Sequence, residues 1–210
     1  MVFIPTKTYF KLNEEKQRRI FDAAVDEFAE NDYDHAMISN IIKHASIPRG
    51  SFYQYFDDKL DLYKYIMEKA GEEKLKYMTE IIANPHEVPF LTLFEELYKL
   101  GLKFAVDNPK FVKIMSHLIR TKGPIYDLVM ADSIDKAISF YSELIDLDKK
   151  RGRIRDDINT KVLAKLITNM TINVSTDSLN EKNSYFDYDK MLEEITQIIY
   201  IFEKGIKVGD

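Results

Sequence analysis

The chain has 210 residues, 45% of them hydrophobic, so it can bury a sizeable core instead of remaining a disordered tail. It carries 30 Lys and Arg against 35 Asp and Glu, a net charge of −5, which argues against a protein that coats nucleic acid by bulk electrostatics. It has no Cys, which excludes disulfides and zinc-thiolate sites, and no apolar stretch approaches the length of a membrane span. We therefore expect a soluble cytoplasmic protein with no cofactor and no membrane partner.

The first predicted element is a helix that begins after Asn13. Asn is favoured at a helix N-cap, and the acidic Glu14 and Glu15 suit the first turn. Apolar side chains then recur at helical spacing: Phe21, Ala24, Val25 and Phe28. Acidic side chains around and beyond them are expected to form a solvated face: Asp22, Asp26, Glu27, Glu30, Asp32 and Asp34.

The next feature is a stretch, residues 35–56, that contains no Asp or Glu in a chain that is acidic overall. Lys43 and Arg49 lie within it, so this stretch can approach phosphate. Its helical periodicity is interrupted at residues 46–48, and a second short helix follows from about Gly50. The pattern indicates a helix-turn-helix.

Helical periodicity continues through the rest of the chain. A long helix is predicted at residues 59–82, and five more are predicted at residues 90–106, 109–118, 123–148, 158–174 and 187–204. Nothing alternates in the manner of a strand. We expect an all-α fold, with an N-terminal three-helix helix-turn-helix domain at residues 1–58 and a C-terminal helical domain at residues 59–210.

The second short helix carries a specific motif. Residues 49–56 read Arg-Gly-Ser-Phe-Tyr-Gln-Tyr-Phe, and Lys59 follows three residues later. This segment resembles the DNA-binding core of the tetracycline-repressor (TetR) family, and the likeness extends over about residues 20–62. The resemblance implies a ligand-responsive transcriptional regulator, more often a repressor than an activator, that binds double-stranded DNA as a homodimer at a palindromic operator. It also implies that the C-terminal helices bind the effector and form the dimer.

The recognition helix must present its N-terminal side chains to the major groove. Arg49 stands where an Arg donates two hydrogen bonds to guanine, and Gln54 can pair with adenine. Gly50 allows close approach of the backbone, and Ser51 can bond a phosphate or a base edge. By resemblance, further contacts are expected from Tyr53, Tyr55 and Lys59, and from Ser39 and Lys43 of the preceding helix. Tyr53 and Tyr55 could instead be packed aromatic residues.

The sequence departs from the family pattern at four positions: Asp32, Ala36, Ile42 and Ser46. Ala36 stands where Thr or Ser usually caps the second helix, so we expect a lost cap and one weaker phosphate contact. Ser46 replaces a turn Gly and would be mildly strained in the left-handed conformation.

Dimerisation is expected because one helix-turn-helix reads only a few base pairs, whereas two copies about 34–36 Å apart give specificity. The last two predicted helices are apolar over wide faces, and the family forms its dimer with its last two helices. The expected interface residues are Leu163, Leu166, Ile167, Met170, Ile195, Ile198, Ile199 and Phe202. Ordinary burial within one protomer is the alternative.

The small-molecule effector is unknown, and the residues favour an apolar or aromatic compound. Candidate contacts are Phe94, Tyr98, Met115, His117, Phe140 and Tyr141. Each of them could instead belong to the core.

The sequence also bears on two other classes of protein. The four His residues show no metal-ligand spacing, and the chain has no nucleophile elbow, P-loop or dinucleotide motif, so no enzyme is predicted. An all-helical interaction protein that has lost specific DNA reading is the second alternative. It would have no need of an acid-free motif, and salt-dependent DNA binding would distinguish it from a regulator.

Overall fold

The computed structural model describes residues 5–177 and 188–207, without the side chains of residues 173–177. Its α-helices are α1 (Lys7–Phe10), α2 (Glu14–Glu30), α3 (Ile38–His44), α4 (Arg49–Tyr55), α5 (Lys59–Ala83), α6 (Phe90–Asp107), α7 (Pro109–Thr121), α8 (Pro124–Lys150), α9 (Thr160–Asp177) and α10 (Tyr188–Ile206). A 3-10 turn, Pro85–Glu87, lies between α5 and α6. In the described ranges no strand forms, and one isolated bridge joins Ile154 and Lys207. The all-α prediction is confirmed.

The helices begin and end close to the positions predicted from the sequence. Asn13 caps α2 by accepting a hydrogen bond from the Lys16 N–H at 2.9 Å. The helices α5 to α8 begin within one residue of the predicted positions and end one to three residues later. The predicted start of the last helix, residue 187, lies outside the described residues. No helix in the described part of the chain is long and apolar enough to cross a membrane.

The described chain divides into two compact units. The first comprises Met1–Glu73 with Asn108–Ile125, and the second comprises Lys74–Asp107 with Tyr126–Asp210. The helix α7 therefore belongs to the unit that contains α3 and α4. The domain boundary expected after residue 58 rests on the motif, and it stays a prediction.

The first unit packs α2, α3, α4 and the start of α5 around aromatic and aliphatic side chains. Phe28, Phe52 and Phe56 are fully buried at its centre. On α7, Phe111 lies 6.4 Å from the Phe21 ring of α2, measured between centroids, and the Lys110 ammonium pairs with the Asp26 carboxylate. These contacts cover one face of α2 with α7.

A short helix that the sequence did not predict, α1, completes this unit. Its Tyr9 is buried and lies within ring contact of Tyr55, Phe56 and Tyr65. Just before it, Thr6 donates its N–H to the Tyr55 carbonyl and its hydroxyl to the Gln54 carbonyl. These bonds satisfy carbonyl groups that the end of α4 leaves without a helical partner.

The second unit has its own hydrophobic core, drawn mainly from α6, α8, α9 and α10. The carboxylate of Asp148, buried on α8, accepts the Phe90 N–H at 2.7 Å and an Arg153 guanidinium N–H at 3.1 Å. A buried carboxylate thus caps the first turn of α6, where the helix dipole favours negative charge.

Candidate nucleic-acid interface

The recognition helix α4 divides its side chains between core and solvent. Phe52 is fully buried, whereas Arg49, Gly50 and Gln54 are exposed and Tyr53 is 49% exposed. The apolar side chain thus holds the helix in place while its neighbours face outward. Ser51 is partly buried.

The preceding helix α3 adds two exposed polar side chains, Ser39 and Lys43. Among residues 5–177 and 188–207, neither Lys43 nor Arg49 has a hydrogen bond or an ion pair through its side chain. Both cations are therefore available to phosphates or base edges without first breaking a bond within the protein.

The two tyrosines of the motif differ in their surroundings. Tyr55 is only 3% exposed and packs edge-on against Tyr9, with ring centroids 6.2 Å apart. The Lys16 ammonium lies 5.7 Å from the centre of the same ring. Tyr55 is thus part of the core, while Tyr53 reaches solvent. The phosphate contact expected of Tyr55 stays a prediction, and its burial does not favour it.

Lys59 has a structural role that the motif did not reveal. Its ammonium donates to the carbonyls of Tyr33, Asp34 and Ala36 at 2.5, 3.3 and 3.0 Å, and it lies 4.6 Å from the centre of the Tyr33 ring. A lysine has three N–H donors, and all three are used here. Lys59 therefore closes the loop between α2 and α3, and it would have to release a carbonyl to bind a phosphate.

The solvated acidic face predicted for α2 is wrong at Glu27, which is only 5% exposed. Its Oε1 accepts the Met37 N–H at 2.8 Å and the Asn40 side-chain amide at 3.2 Å. Met37 is the N-cap of α3 and offers no side-chain cap itself. The cap expected to be lost at Ala36 is therefore supplied from another helix.

The turn after α3 has the strained geometry that the sequence predicted. Ser46 adopts a φ of 52°, in the left-handed region that favours glycine. The N–H groups of Ser46 and Ile47 bond the carbonyls of Lys43 and Ile42, which closes the C-terminus of α3. This turn sets the angle at which the chain enters α4.

The candidate effector residues are divided between the two units. In the second unit, Phe94 lies 6.5 Å from Tyr98 and 6.1 Å from Tyr141, and Tyr141 lies 5.7 Å from Phe140, all between ring centroids. Met115 and His117 lie on α7 in the first unit, where the His117 ring nitrogen is 3.4 Å from the Phe28 carbonyl. Four of the six candidates thus form one aromatic group.

The candidate dimer residues are divided between core and surface. Five are buried in the second unit: Leu163, Ile167, Ile195, Ile199 and Phe202. Met170 and Ile198 are partly buried, and Leu166 is 49% exposed. Three other apolar side chains of α9 and α10 are more exposed than Leu166: Val162, Tyr200 and Ile201.

Comparison with known proteins gives one consistent family. Residues 20–66 match the model of bacterial regulatory proteins of the tetR family. The chain is 26% identical over 159 residues to the HTH-type transcriptional regulator UidR of Escherichia coli, covering 76% of this chain and 79% of the relative. It is 20% identical over 161 residues to the HTH-type transcriptional repressor BepR of Brucella suis, covering 74% and 77%.

The fold is also found in solved structures. A TetR family transcriptional regulator from Chloroflexus aurantiacus superposes with a TM-score of 0.73 at 24% sequence identity, covering 99% of this chain and 100% of that one. The likeness at this identity concerns the fold, and it extends over both units.

Proposed function

We propose that the chain is a DNA-binding transcriptional regulator of the TetR family, a repressor that binds a palindromic operator as a homodimer and is released by a small apolar or aromatic effector. The observation that carries the proposal is the outward face of α4. There, Arg49, Tyr53 and Gln54 are exposed on a helix that Phe52 fixes to the core.

Each exposed side chain of this face has a distinct role in the proposed complex. Arg49 donates two hydrogen bonds to a guanine, and Gln54 pairs with an adenine, because those side chains match those base edges in the major groove. Tyr53, Ser39 and Lys43 bond phosphates and fix the register on the duplex. Lys59 holds the loop from which α3 begins, and Tyr55 supports α4 from beneath.

The proposed dimer uses exposed apolar surface of α9 and α10. Val162, Leu166, Tyr200 and Ile201 are all about half exposed or more. Contiguous apolar side chains on the surface of a soluble protein are typical of an interaction site. The buried members of the sequence-predicted set instead form the core beneath this surface.

The proposed effector binds among the aromatic side chains of the second unit, with Phe94, Tyr98, Phe140 and Tyr141 as its contacts. An effector shifts an equilibrium only when it binds one conformation better than another. The chain passes between the units at residues 73–74, 107–108 and 125–126. In the proposed mechanism, the effect of the bound ligand on the second unit reaches the first through these three points of the chain.

Selection of genomic DNA fragments by the purified protein tests the proposal. We expect a palindromic sequence to be enriched by the wild type and by Arg18→Ala, which alters an exposed cation of α2 outside the motif. Arg49→Ala should lose about 1–3 kcal/mol of specific binding and relax one operator position. Enrichment of the same sequence by Arg49→Ala would remove Arg49 from base reading. The absence of both an enriched sequence and salt-dependent DNA binding in the wild type would favour the interaction protein.

A further inference from the structure

The second unit contains a lysine without a counter-ion. Within the described residues, the Lys74 ammonium of α5 makes no hydrogen bond and no ion pair. Lys74 is an exposed residue, and the protein atoms around its ammonium lower the pKa of that group through desolvation.

Lys74 lies against α6 at a position that has no side chain. Its Cε and Nζ are 3.7 and 3.9 Å from the point that a Cβ of Gly101 would occupy, and the Cε of Met78, one turn further along α5, is 3.8 Å from it. A longer side chain at this point would displace the lysine. Gly101 therefore gives the ammonium its place beside α6.

The same face of α6 continues with aromatic side chains. Tyr98 lies three residues before Gly101 and Phe94 four residues before Tyr98, spacings that place side chains on one face of a helix. The Tyr98 hydroxyl is buried and has no hydrogen-bond partner among the described residues. Along this face, an unpaired cation is thus followed by an unpaired hydroxyl and then by the rings of Phe94 and Tyr141.

One carboxylate also acts on this face. Burial raises the pKa of Tyr98, and the negative charge of Glu194 on α10 raises it further. A ligand anion would therefore be repelled near Tyr98 and attracted near Lys74. The charges give a bound molecule a defined direction along α6.

We infer that the effector is an apolar acid, whose anionic group pairs with Lys74 beside Gly101 and whose apolar body extends along Tyr98, Phe94 and Tyr141. This inference rests on the proposed function and names the chemical class of its effector. The Lys74 ammonium beside Gly101 has no counter-ion among the described residues, and a bound anion supplies one. The conformation that brings Lys74 beside Gly101 is therefore the one that such a ligand stabilises.

Two fluorescent probes that differ only in charge test the inference. They are 8-anilinonaphthalene-1-sulfonate, which is anionic, and N-phenyl-1-naphthylamine, which is the same apolar body without the sulfonate. Each is titrated against the full-length wild type, Lys74→Met, and the control Lys103→Met, which removes an exposed cation of α6. We expect Lys74→Met to weaken the anionic probe on the order of tenfold or more and to leave the neutral probe unchanged. Lys103→Met should change neither.

Equal affinity of Lys74→Met and the wild type for the anionic probe would overturn the inference, as would failure of the wild type to bind either probe. Should Lys74→Met not fold, Gly101→Leu gives a second test, because its side chain would displace the ammonium. It should weaken the anionic probe, and unchanged affinity would contradict the inference.

Competition by dodecanoate and by dodecyl phosphate then separates a carboxylate head group from a phosphate head group, while dodecanol should not compete. Operator binding is measured in parallel without probe. Its absence in the wild type would contradict the proposed function, whereas operator binding together with a charge-independent probe site would contradict this inference alone.

Discussion

The carboxylate of Glu27 accepts the backbone N–H of Met37 at 2.8 Å, so a buried side chain of α2 caps the N-terminus of α3. Glu27→Ala would leave the Met37 N–H and the Asn40 amide without this acceptor. We expect a loss of about 0.5–2 kcal/mol in the free energy of unfolding, because two partly buried donors would lose their acceptor and α3 would lose its cap. Urea denaturation measures the loss. Glu27→Gln keeps an acceptor oxygen and should lose less, and equal losses would contradict the capping role.

The left-handed conformation of Ser46 predicts a stabilising substitution. Ser46→Gly removes the steric conflict of the Cβ and should raise the free energy of unfolding by about 1 kcal/mol. Ser39→Gly is the control, and it should lower the free energy of unfolding by about 0.5–1 kcal/mol, because glycine within α3 is unfavourable. Thermal denaturation of both variants checks the pair. A destabilising Ser46→Gly would mean that the Ser46 side chain contributes more than the strain costs.

The three carbonyl contacts of Lys59 predict that its substitution affects stability more than DNA electrostatics. Lys59→Met should cost about 1–3 kcal/mol of unfolding free energy. By contrast, Lys43→Met should leave stability nearly unchanged. It should reduce the slope of log binding constant against log salt concentration by about 1 for the operator. Anisotropy titrations at several salt concentrations distinguish them. A reduced salt dependence of operator binding in folded Lys59→Met would indicate that Lys59 contacts a phosphate.

The unpaired hydroxyl of Tyr98 predicts that Tyr98→Phe stabilises the protein without effector. Removing a buried polar atom that has no partner should raise the free energy of unfolding by about 1 kcal/mol. Tyr77→Phe is the matched control in the same unit, because the Tyr77 hydroxyl donates to Asp107 at 2.9 Å and its loss should destabilise. Calorimetric melting temperatures that move in opposite directions are expected; a lower value for Tyr98→Phe would indicate that the hydroxyl has a partner.

The exposed apolar face of α10 predicts where a charge disrupts the dimer. Ile201 is 65% exposed, and Ile201→Glu would place a carboxylate in the proposed interface. We expect a monomer at micromolar concentration by analytical ultracentrifugation, with loss of operator binding. Leu128→Glu, at an equally exposed position of α8, should remain dimeric. A monomeric wild type would contradict the proposed interface.

Much of the fold was predictable because its signals are local. The Asn13 cap, the breaks before α6 and α7 and the strained turn at Ser46 are each encoded within a few residues. Helix α1 was not predicted, because a four-residue helix has too few positions to show periodicity. It is held by Tyr9, whose partners Tyr55 and Tyr65 are distant in the sequence.

The candidate site was predictable at Arg49, Tyr53 and Gln54, whose exposure follows from their positions on α4. The roles of Lys59 and Glu27 were not predictable, because their bonding partners Tyr33 and Met37 are 26 and 10 residues away in the sequence. A signal for Glu27 did exist. It lies four residues after Ala23 and seven after Ile20, both buried, so it occupies the buried stripe of α2 and not the face assigned to it. An acidic residue in such a stripe indicates a paired carboxylate.

The packing of α7 on α2 bears on how such regulators can exchange parts. Phe111 contacts Phe21, and Lys110 pairs with Asp26, although α3, α4, α5 and α6 all lie between the two helices in the chain. A hybrid made with a single junction after Glu73 would take α2, α3 and α4 from one parent and α7, which packs on α2, from the other. Working chimaeras therefore need the segment Asn108–Ile125 to be transplanted together with the first unit, or its contact with α2 to be rebuilt. Recombination with a single crossover would likewise separate α2 from the α7 that packs on it. New combinations of operator and effector are therefore easier to reach by point substitution.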